Sequence, residues 1–285
     1  MKKQLFSLLL VALAITINTG SWAQQGLKLP SLSPNAKISQ DFSLSTIEIS
    51  YSRPSMRGRE IFGDVVAFGR PWRTGANSPT KVKFGEDVDV MGTKIKAGEY
   101  AIYTIPGKEK WEVIFNLGTT PFSAQGFDKG NDVARFFIEP TRIPNMVQSF
   151  TIEISDITYN SCKIDLIWEK TKVSIPVSTH NEESIGKSIE NAVNHPNVPY
   201  FQAANYIFET NGDLDKAKSY VDKAVEQDPK AYYIWYLKAR IEQKLGNKKE
   251  AAEAAKKSMD AAVGSTFEED YKHNNQKIID DVKKK

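Results

Sequence analysis

The stretch CKIDLIWEKTKVSIPV, residues 162–177, alternates apolar and polar side chains with the period of two that is typical of β-strands. Successive side chains of a strand point to opposite faces of a sheet, so this alternation predicts strands with one buried face. The apolar positions are Cys162, Ile164, Leu166 and Trp168 in a first set, and Val173, Ile175 and Val177 in a second set. The stretch therefore predicts two strands at the end of a β-rich region.

The same alternation recurs upstream, from about Pro34 onward. Gly, Pro and Asn residues separate the alternating runs, and no long amphipathic helical pattern interrupts them. Roughly nine or ten short strands joined by such turns are typical of an antiparallel β-sandwich or barrel. We therefore predict a mainly β N-terminal domain at residues 37–178. The upstream alternating positions include Ile47, Ile49, Tyr51, Val88, Val90, Trp111, Val113, Phe115, Phe150, Ile152 and Ile154.

Residues 179–285 change to the apolar period of helices and contain a repeat. Phe201 lies 34 residues before Trp235, and Gly212 precedes Gly246 by the same interval. This spacing, with small alanines such as Ala217 and Ala251 where helices cross, is similar to the tetratricopeptide repeat. It predicts an all-α domain with repeat units at about 198–231 and 232–265 and a capping helix at 266–283. The second unit departs from the pattern, since Ser258 and Val263 replace the expected Ala and Pro.

The N-terminus has the features of a secretory signal peptide. Lys2 and Lys3 precede a short apolar run, and small residues lead up to Ala23. The run is shorter than the roughly 20 residues that a membrane-spanning helix requires, although an uncleaved anchor is the alternative. We predict a signal peptide at residues 1–23, a linker at 24–36, and a periplasmic or extracellular protein without a transmembrane anchor after cleavage behind Ala23.

Composition narrows the function classes. The net charge of +3 is far from the strong positive excess of nucleic-acid-binding proteins, so no nucleic-acid partner is expected. The one cysteine, Cys162, cannot form an intrachain disulfide. The three histidines all lie in the C-terminal part and are far apart in sequence, which leaves no metal-ligand cluster and no base for a nucleophile in the β-domain. We therefore assign no catalytic residue, no metal and no cofactor.

An arginine-rich segment between Arg53 and Arg73 interrupts the strand pattern. Guanidinium groups bind planar anions with paired donors, which makes the segment a candidate ligand site. The alternative is that each arginine pairs with a carboxylate inside the domain, and Trp72 could equally fill the core or form a pocket wall. The candidate ligand-binding residues are Arg53, Arg57, Arg59, Arg70, Trp72, Arg73 and Asn77. The candidate carboxylate partners are Asp41, Glu99, Asp132 and Glu139.

Four sequence blocks of the β-domain resemble one protein family. They are Tyr51-Ser-Arg-Pro-Ser-Met-Arg-Gly-Arg, Trp72-Arg-Thr-Gly-Ala-Asn77, Lys96-Ala-Gly-Glu-Tyr100, and Thr104-Ile-Pro-Gly107 followed by Trp111. Together they resemble the domain-of-unknown-function family 2911 of secreted bacterial proteins, over about residues 37–177. The resemblance implies export, a β-rich fold and, in some members, a helical repeat behind the domain. It implies no activity, substrate or cofactor.

These features favour an exported cell-envelope binding or scaffold protein. The β-domain would recognise a small anionic or carbohydrate-like ligand at the arginine-rich segment. The helical repeat would contact a protein partner through Phe201, Tyr206, Trp235 and Tyr236. One alternative is an envelope hydrolase that acts on a glycan with paired carboxylates, for which the positions to inspect are Glu48, Asp64, Glu99 and Asp132. A purely structural protein is the other alternative.

Overall fold

Ten β-strands and six α-helices lie within the described parts of the chain. The structure is a computed structural model that describes residues 29–119, 127–192 and 198–284, so the predicted signal peptide and the first linker residues lie outside it. The strands are β1 (Asn35–Phe42), β2 (Ser45–Ser52), β3 (Thr80–Phe84), β4 (Val88–Val90), β5 (Thr93–Ile95), β6 (Gly98–Ile105), β7 (Trp111–Asn116), β8 (Asp132–Ile138), β9 (Thr141–Ser155) and β10 (Ser161–Ser178). The helices are α1 (Glu182–Ala192), α2 (Tyr200–Glu209), α3 (Leu214–Gln227), α4 (Tyr232–Leu245), α5 (Lys248–Ala262) and α6 (Glu268–Lys283).

The strands form two antiparallel sheets that enclose one core. The larger sheet has the order β1-β2-β3-β6-β7-β8, and the smaller has the order β5-β4-β10-β9. Apolar side chains on alternate positions of both sheets meet between them, as the period of two predicts. Trp168, Phe84, Phe115 and Phe150 are the bulkiest of the fully buried residues in this core. The predicted mainly β domain is confirmed, and it is an open sandwich rather than a barrel.

The stretch of residues 162–177 lies in one long strand instead of the two strands predicted. β10 runs without interruption from Ser161 to Ser178, and its pairing register with β9 shifts on both sides of Glu169. Glu169 has a left-handed backbone conformation with φ 53°. Such a bulge bends the strand and changes which residues point inward. The core positions accordingly change from even numbers before the bulge to odd numbers after it.

The helices pack as two tetratricopeptide-like pairs with flanking helices, as predicted. Ala217 and Ala251 are fully buried where helices cross, which explains why small residues occur at this repeated position. Gly246 ends α4 with φ 82°, whereas the equivalent left-handed residue after α2 is Asn211, one position before the predicted Gly212. The predicted all-α C-terminal domain is therefore confirmed.

Polar contacts join the sandwich to the helices. The side-chain amide of Asn181, just before α1, donates to Ser43 Oγ at 3.1 Å and also to the Glu86 carboxylate. Asn205 on α2 donates to the Tyr159 hydroxyl at 2.9 Å. Among the helices that the structure describes, none is both long enough and apolar enough to span a membrane.

Candidate functional site

The arginine-rich segment between β2 and β3 connects the two sheets. After β2 ends in the larger sheet, the chain crosses to β9 of the smaller sheet. There Met56 donates its main-chain N–H to Gln148 O at 2.8 Å, and Phe150 donates to Pro54 O at 2.9 Å. The segment then passes over one end of the sandwich and returns through Trp72, which pairs with Thr104 on β6. It therefore closes this end of the core.

Arg53 fastens the segment to β9. Its Nε donates to Phe150 O at 3.0 Å and its Nη2 to Thr151 Oγ1 at 2.7 Å. Arg59 acts within the segment and donates to Met56 O and Ser55 O, both at 3.0 Å. These guanidinium groups bond to neutral oxygens of the protein, which satisfies donors that an anion would otherwise use.

The other candidate residues lie on the outer side of the segment. Arg57 donates to Leu32 O at 3.0 Å and so holds the chain that precedes β1. Arg73 donates to Asn77 O at 2.5 Å, and the Asn77 amide donates to Ser33 O at 3.3 Å. Arg70 is exposed. Arg57 and Asn77 thus both hold the chain that precedes β1, and Arg73 in turn holds Asn77.

Two of the four suggested carboxylate partners, Glu99 and Asp132, are used elsewhere. Glu99 forms an ion pair with Lys81 at 3.2 Å, and Asp132 pairs with Arg135 at 2.6 Å. The oxygens that hold Arg53, Arg57 and Arg59 are instead main-chain carbonyls and one hydroxyl. The segment is therefore fixed mainly by hydrogen bonds to the backbone.

Trp72 belongs to an aromatic cluster under the segment. Its ring stacks on Trp168 with centroids 5.9 Å apart and meets Phe150 edge-on at 5.1 Å. Its indole N–H donates to Gly75 O at 2.9 Å, so the polar atom is satisfied although the ring is half-buried. Phe62 extends the cluster and contacts Trp111 with centroids 4.9 Å apart. Of the two roles considered for Trp72, core filling describes its contacts.

An open pocket of about 410 Å³ lies beside this cluster. Its floor contains Phe62 and Trp111, and its rim carries charged side chains from two strands, one turn and the segment. The lining comes from the segment, the β6–β7 turn, the start of β9 and the bulge of β10. The lining residues are Glu60, Phe62, Phe68, Gly107, Lys108, Trp111, Pro140, Thr141, Arg142, Met146, Glu169, Lys170 and Thr171. None of the predicted ligand-binding residues is among them.

Three cations of this pocket have no carboxylate partner. Lys108, Arg142 and Lys170 form no ion pair within the part of the chain that the structure describes. Of the two carboxylates in the lining, Glu169 already accepts a hydrogen bond from the Ile61 N–H at 2.8 Å. The pocket therefore has an excess of unpaired positive charge. The sequence does not single out these cations, because Lys108 lies in the β6–β7 turn while Arg142 and Lys170 lie on two different strands, and no local pattern distinguishes them from solvated surface residues.

Gly63 packs against Phe68, which lines the pocket. Its φ is 109°, and the Phe68 ring lies so close that a Cβ on Gly63 would be 2.9 Å from Phe68 Cε2. Only glycine adopts such a backbone readily. The residue thus allows the ring of Phe68, which is 36% exposed, to fold over the segment at the rim.

The carboxylates named for a hydrolase do not meet in this pocket. Glu48 pairs with Lys37 at 3.0 Å, and Lys37 and Lys83 lower the pKa of the Glu48 carboxyl. Glu99 and Asp132 have the partners given above, and Asp64 is exposed on the segment. Within the described residues, no group of three or more His, Cys, Asp or Glu side chains could hold a metal ion.

The four aromatic residues predicted for partner binding occupy different surroundings. Tyr206 packs edge-on against Tyr159 of the sandwich at 5.6 Å, and burial together with Glu182 raises the pKa of its hydroxyl. Trp235 donates its indole N–H to Pro229 O at 2.9 Å. Phe201 contacts Tyr233 at 5.0 Å, and Tyr236 contacts Tyr271 at 5.4 Å.

Comparison with protein families assigns the sandwich. The family model described as "Protein of unknown function (DUF2911)" matches residues 33–177. The chain belongs to the DUF2911 family. All residues that line the pocket fall within the DUF2911 match. A model of the tetratricopeptide repeat matches residues 199–230 and 232–262, which correspond to the helix pairs α2–α3 and α4–α5. Comparisons with curated proteins and with solved structures gave no match.

Proposed function

We propose that this protein is an exported binding protein whose DUF2911 domain binds a small anionic sugar in the pocket lined by Lys108, Arg142 and Lys170. The observation that carries the proposal is the convergence of these three unpaired cations on one cavity. Its volume of about 410 Å³ suits such a ligand, since small-molecule sites span about 300–1,000 Å³. The cations attract an anionic group, and Arg142 can bind a carboxylate or sulfate with two parallel hydrogen bonds.

The aromatic floor supports a sugar in preference to a bare inorganic anion. Phe62 is half-buried against Trp111, and Phe68 is partly exposed at the rim. Such rings offer apolar surface to the C–H faces of a pyranose, while the charged rim selects for the acidic group. The carboxylate of Glu60 adds an acceptor for sugar hydroxyl groups.

In this proposal the arginine-rich segment mainly builds the pocket. Arg53 and Arg59 hold the segment in place by the hydrogen bonds given above, and Phe62 and Phe68 of the same segment reach the cavity. The prediction that Arg57, Arg70 and Arg73 bind the ligand directly is tested by the same titration. We place the boundary between the β-domain and the helical domain after residue 178, with repeat units at 198–231 and 232–265, and the signal peptide at 1–23.

Calorimetric titration with glucuronate, glucose and sulfate tests the proposal. We expect saturable binding of glucuronate, weaker binding of sulfate and no binding of glucose. In the variant Lys108→Ala/Arg142→Ala the affinity for glucuronate should fall at least tenfold, because about 1.4 kcal/mol of lost ion pairing corresponds to a factor of ten. Loss of glucuronate binding in Arg57→Ala/Arg70→Ala instead would place the ligand on the outer side of the segment.

Lys94→Ala provides the matched control. Lys94 is an exposed lysine of the same domain on β5, and no ion pair of Lys94 occurs within the described residues. Its removal changes the net charge without touching the pocket, so glucuronate affinity should stay at the wild-type value. Equal weakening in Lys94→Ala and in the pocket variant would mean that only overall charge attracts the anion.

For the helical domain we propose binding of a protein partner, which its tetratricopeptide repeats support. Tyr233 on α4 is 40% exposed beside Phe201, and Tyr236 on the same helix contacts Tyr271 on α6. Tyr206 is the least suitable of the predicted contacts because the sandwich already covers part of its ring. Affinity capture from envelope extracts should recover a partner with the wild-type protein and lose it with Tyr233→Ala. Val263→Ala, at a more exposed apolar position of the helical domain, is the control.

A further inference from the structure

A second cavity lies where the sandwich meets the helices. It has a volume of about 380 Å³ and is lined by two strand turns of the sandwich and by one side each of α1 and α2. Its lining contains no charged side chain among the described residues. The lining residues are Ser43, Leu44, Tyr159, Ile185, Ser188, Ile189, Ala192, Pro199, Gln202, Ala203 and Tyr206.

The sandwich wall of this cavity is held in an unusual conformation. Ser43 and Leu44 form the two-residue turn between β1 and β2, and Ser43 has a φ of 53°. Such turns favour Asn and Gly, because positive φ is costly for other residues. Leu44 is 64% exposed although it is apolar, and its N–H is fixed by Glu86 at 3.1 Å. The strained turn therefore places an apolar side chain at the edge of the cavity.

The helical wall is incompletely packed. α1 has apolar residues such as Ile185 and Ile189 on one side, yet none of its described side chains is fully buried. These isoleucines line the cavity opposite Leu44. An apolar helix side that remains partly exposed in this way gains stability when additional apolar surface covers it.

One end of the cavity offers hydrogen bonds without charge. Ser43 Oγ accepts hydrogen bonds from Thr179 Oγ1 at 3.0 Å and from Asn181 at 3.1 Å, which leaves its own proton to donate. The Tyr159 hydroxyl likewise accepts from Asn205 at 2.9 Å and keeps its proton. A bound molecule with a carbonyl or ether oxygen would find a donor at this end.

We propose that this cavity binds a neutral, mainly apolar small molecule that carries a hydrogen-bond acceptor. The volume, the apolar walls and the uncharged donors define this class, and an anion would lack a cationic partner in the lining. The walls come from both domains, so the molecule would favour the arrangement in which Tyr159 packs on Tyr206. The site is separate from the pocket lined by Lys108, Arg142 and Lys170, and the proposal does not depend on that pocket's ligand.

The test uses prodan, a neutral fluorescent naphthalene with a ketone group, and the anionic dye 1-anilinonaphthalene-8-sulfonate. With the purified protein we expect saturable prodan binding at one site, with a shift of its emission to shorter wavelength, and weaker binding of the sulfonate. Leu44→Glu should weaken prodan binding at least about tenfold, because the change puts a charge on an apolar wall. Gln202→Trp, a change at an exposed position of the lining, should block the site by filling it.

Val263→Glu is the matched control, since Val263 is an equally exposed apolar residue far from the lining, at the end of α5. The Val263→Glu and Arg142→Ala variants should both bind prodan with the affinity of the wild type. Unchanged prodan binding in both Leu44→Glu and Gln202→Trp would overturn the proposal. Equal binding of both dyes without saturation would overturn it as well, since that result indicates general apolar surface. Melting temperatures of all variants verify that they are folded.

Discussion

Glu169 accepts a hydrogen bond from the Ile61 N–H across 2.8 Å while its own backbone has φ 53°. A non-glycine residue at positive φ is strained, and such strain persists only where the surrounding contacts enforce it. Here the bond joins the bulge of β10 to the segment that carries Phe62. It thus fixes against each other two walls of the pocket that Phe62 and Trp111 line.

The first prediction concerns this bond. Glu169→Ala leaves the buried Ile61 N–H without its acceptor, so we expect the free energy of unfolding to fall by about 1–3 kcal/mol. Urea denaturation followed by tryptophan fluorescence measures the loss. Glu169→Gln is the control, because its amide oxygen can still accept the bond and should keep most of the stability. Equal destabilisation by Ala and Gln would show that the bond itself contributes little.

A second prediction concerns Gly63 and the ring of Phe68. Gly63→Ala combines an unfavourable φ with a steric overlap at 2.9 Å, so it should destabilise the domain by roughly 1–3 kcal/mol and weaken glucuronate binding. Gly58→Ala is the matched control, since Gly58 has φ 75° but no atom within 4 Å of the added Cβ. It should cost some stability and leave glucuronate affinity unchanged. Calorimetric titration measures the glucuronate affinity of both variants. Equal affinities of Gly63→Ala and Gly58→Ala would contradict the role of Gly63 in the pocket.

Much of the fold could be predicted from alternation and repeat spacing. The period of two identified the inward positions of β2, β7 and β10, and the 34-residue interval identified both helix pairs. The sequence also contains a sign of the bulge, because the apolar positions change from even numbers up to Trp168 to odd numbers from Val173. This change predicts either the end of one strand and the start of another, as in our sequence analysis, or a bulge within one strand. A continuous strand with one inserted residue gives the same pattern.

The candidate site was harder to predict because its parts are distant in the sequence. The arginine cluster attracted attention as a local pattern, yet Arg53 and Arg59 use their donors on the protein's own oxygens. Lys108 and Arg142 have no distinguishing local pattern, and only the sheet topology brings the β6–β7 turn and the start of β9 to one cavity. Tyr206 illustrates the same limit, since nothing local shows that the sandwich covers it.

A third prediction concerns Ser258, where the repeat departs from the usual alanine. Its hydroxyl donates to Tyr232 O at 2.8 Å and accepts from the Asn275 amide of α6 at 2.9 Å. Both side chains are fully buried, so Ser258→Ala should lower the free energy of unfolding by about 1–3 kcal/mol.

Asn275 also donates to Tyr271 O at 2.7 Å, so it retains one partner in Ser258→Ala. Adding Asn275→Leu to this variant removes the amide group that has lost its hydrogen-bond partner. The double variant should therefore lose less free energy of unfolding than the sum of the losses in the two single variants. Chemical denaturation of the four proteins in this cycle measures the coupling between α5 and α6. Strict additivity would mean that the serine does not hold the capping helix.

The last prediction concerns the single cysteine. Cys162 lies in the sandwich core, and burial raises the pKa of its thiol to about 11. In the unfolded chain the thiol ionises at about pH 8.5, so the native state loses stability as the pH rises from there through the native pKa. At pH 8 the native thiol should therefore be protonated and inaccessible, and Ellman's reagent should react with it only after urea unfolding. Cys162→Ser should abolish the reaction in urea, which confirms its origin. Fast labelling of the native protein would contradict the burial of Cys162.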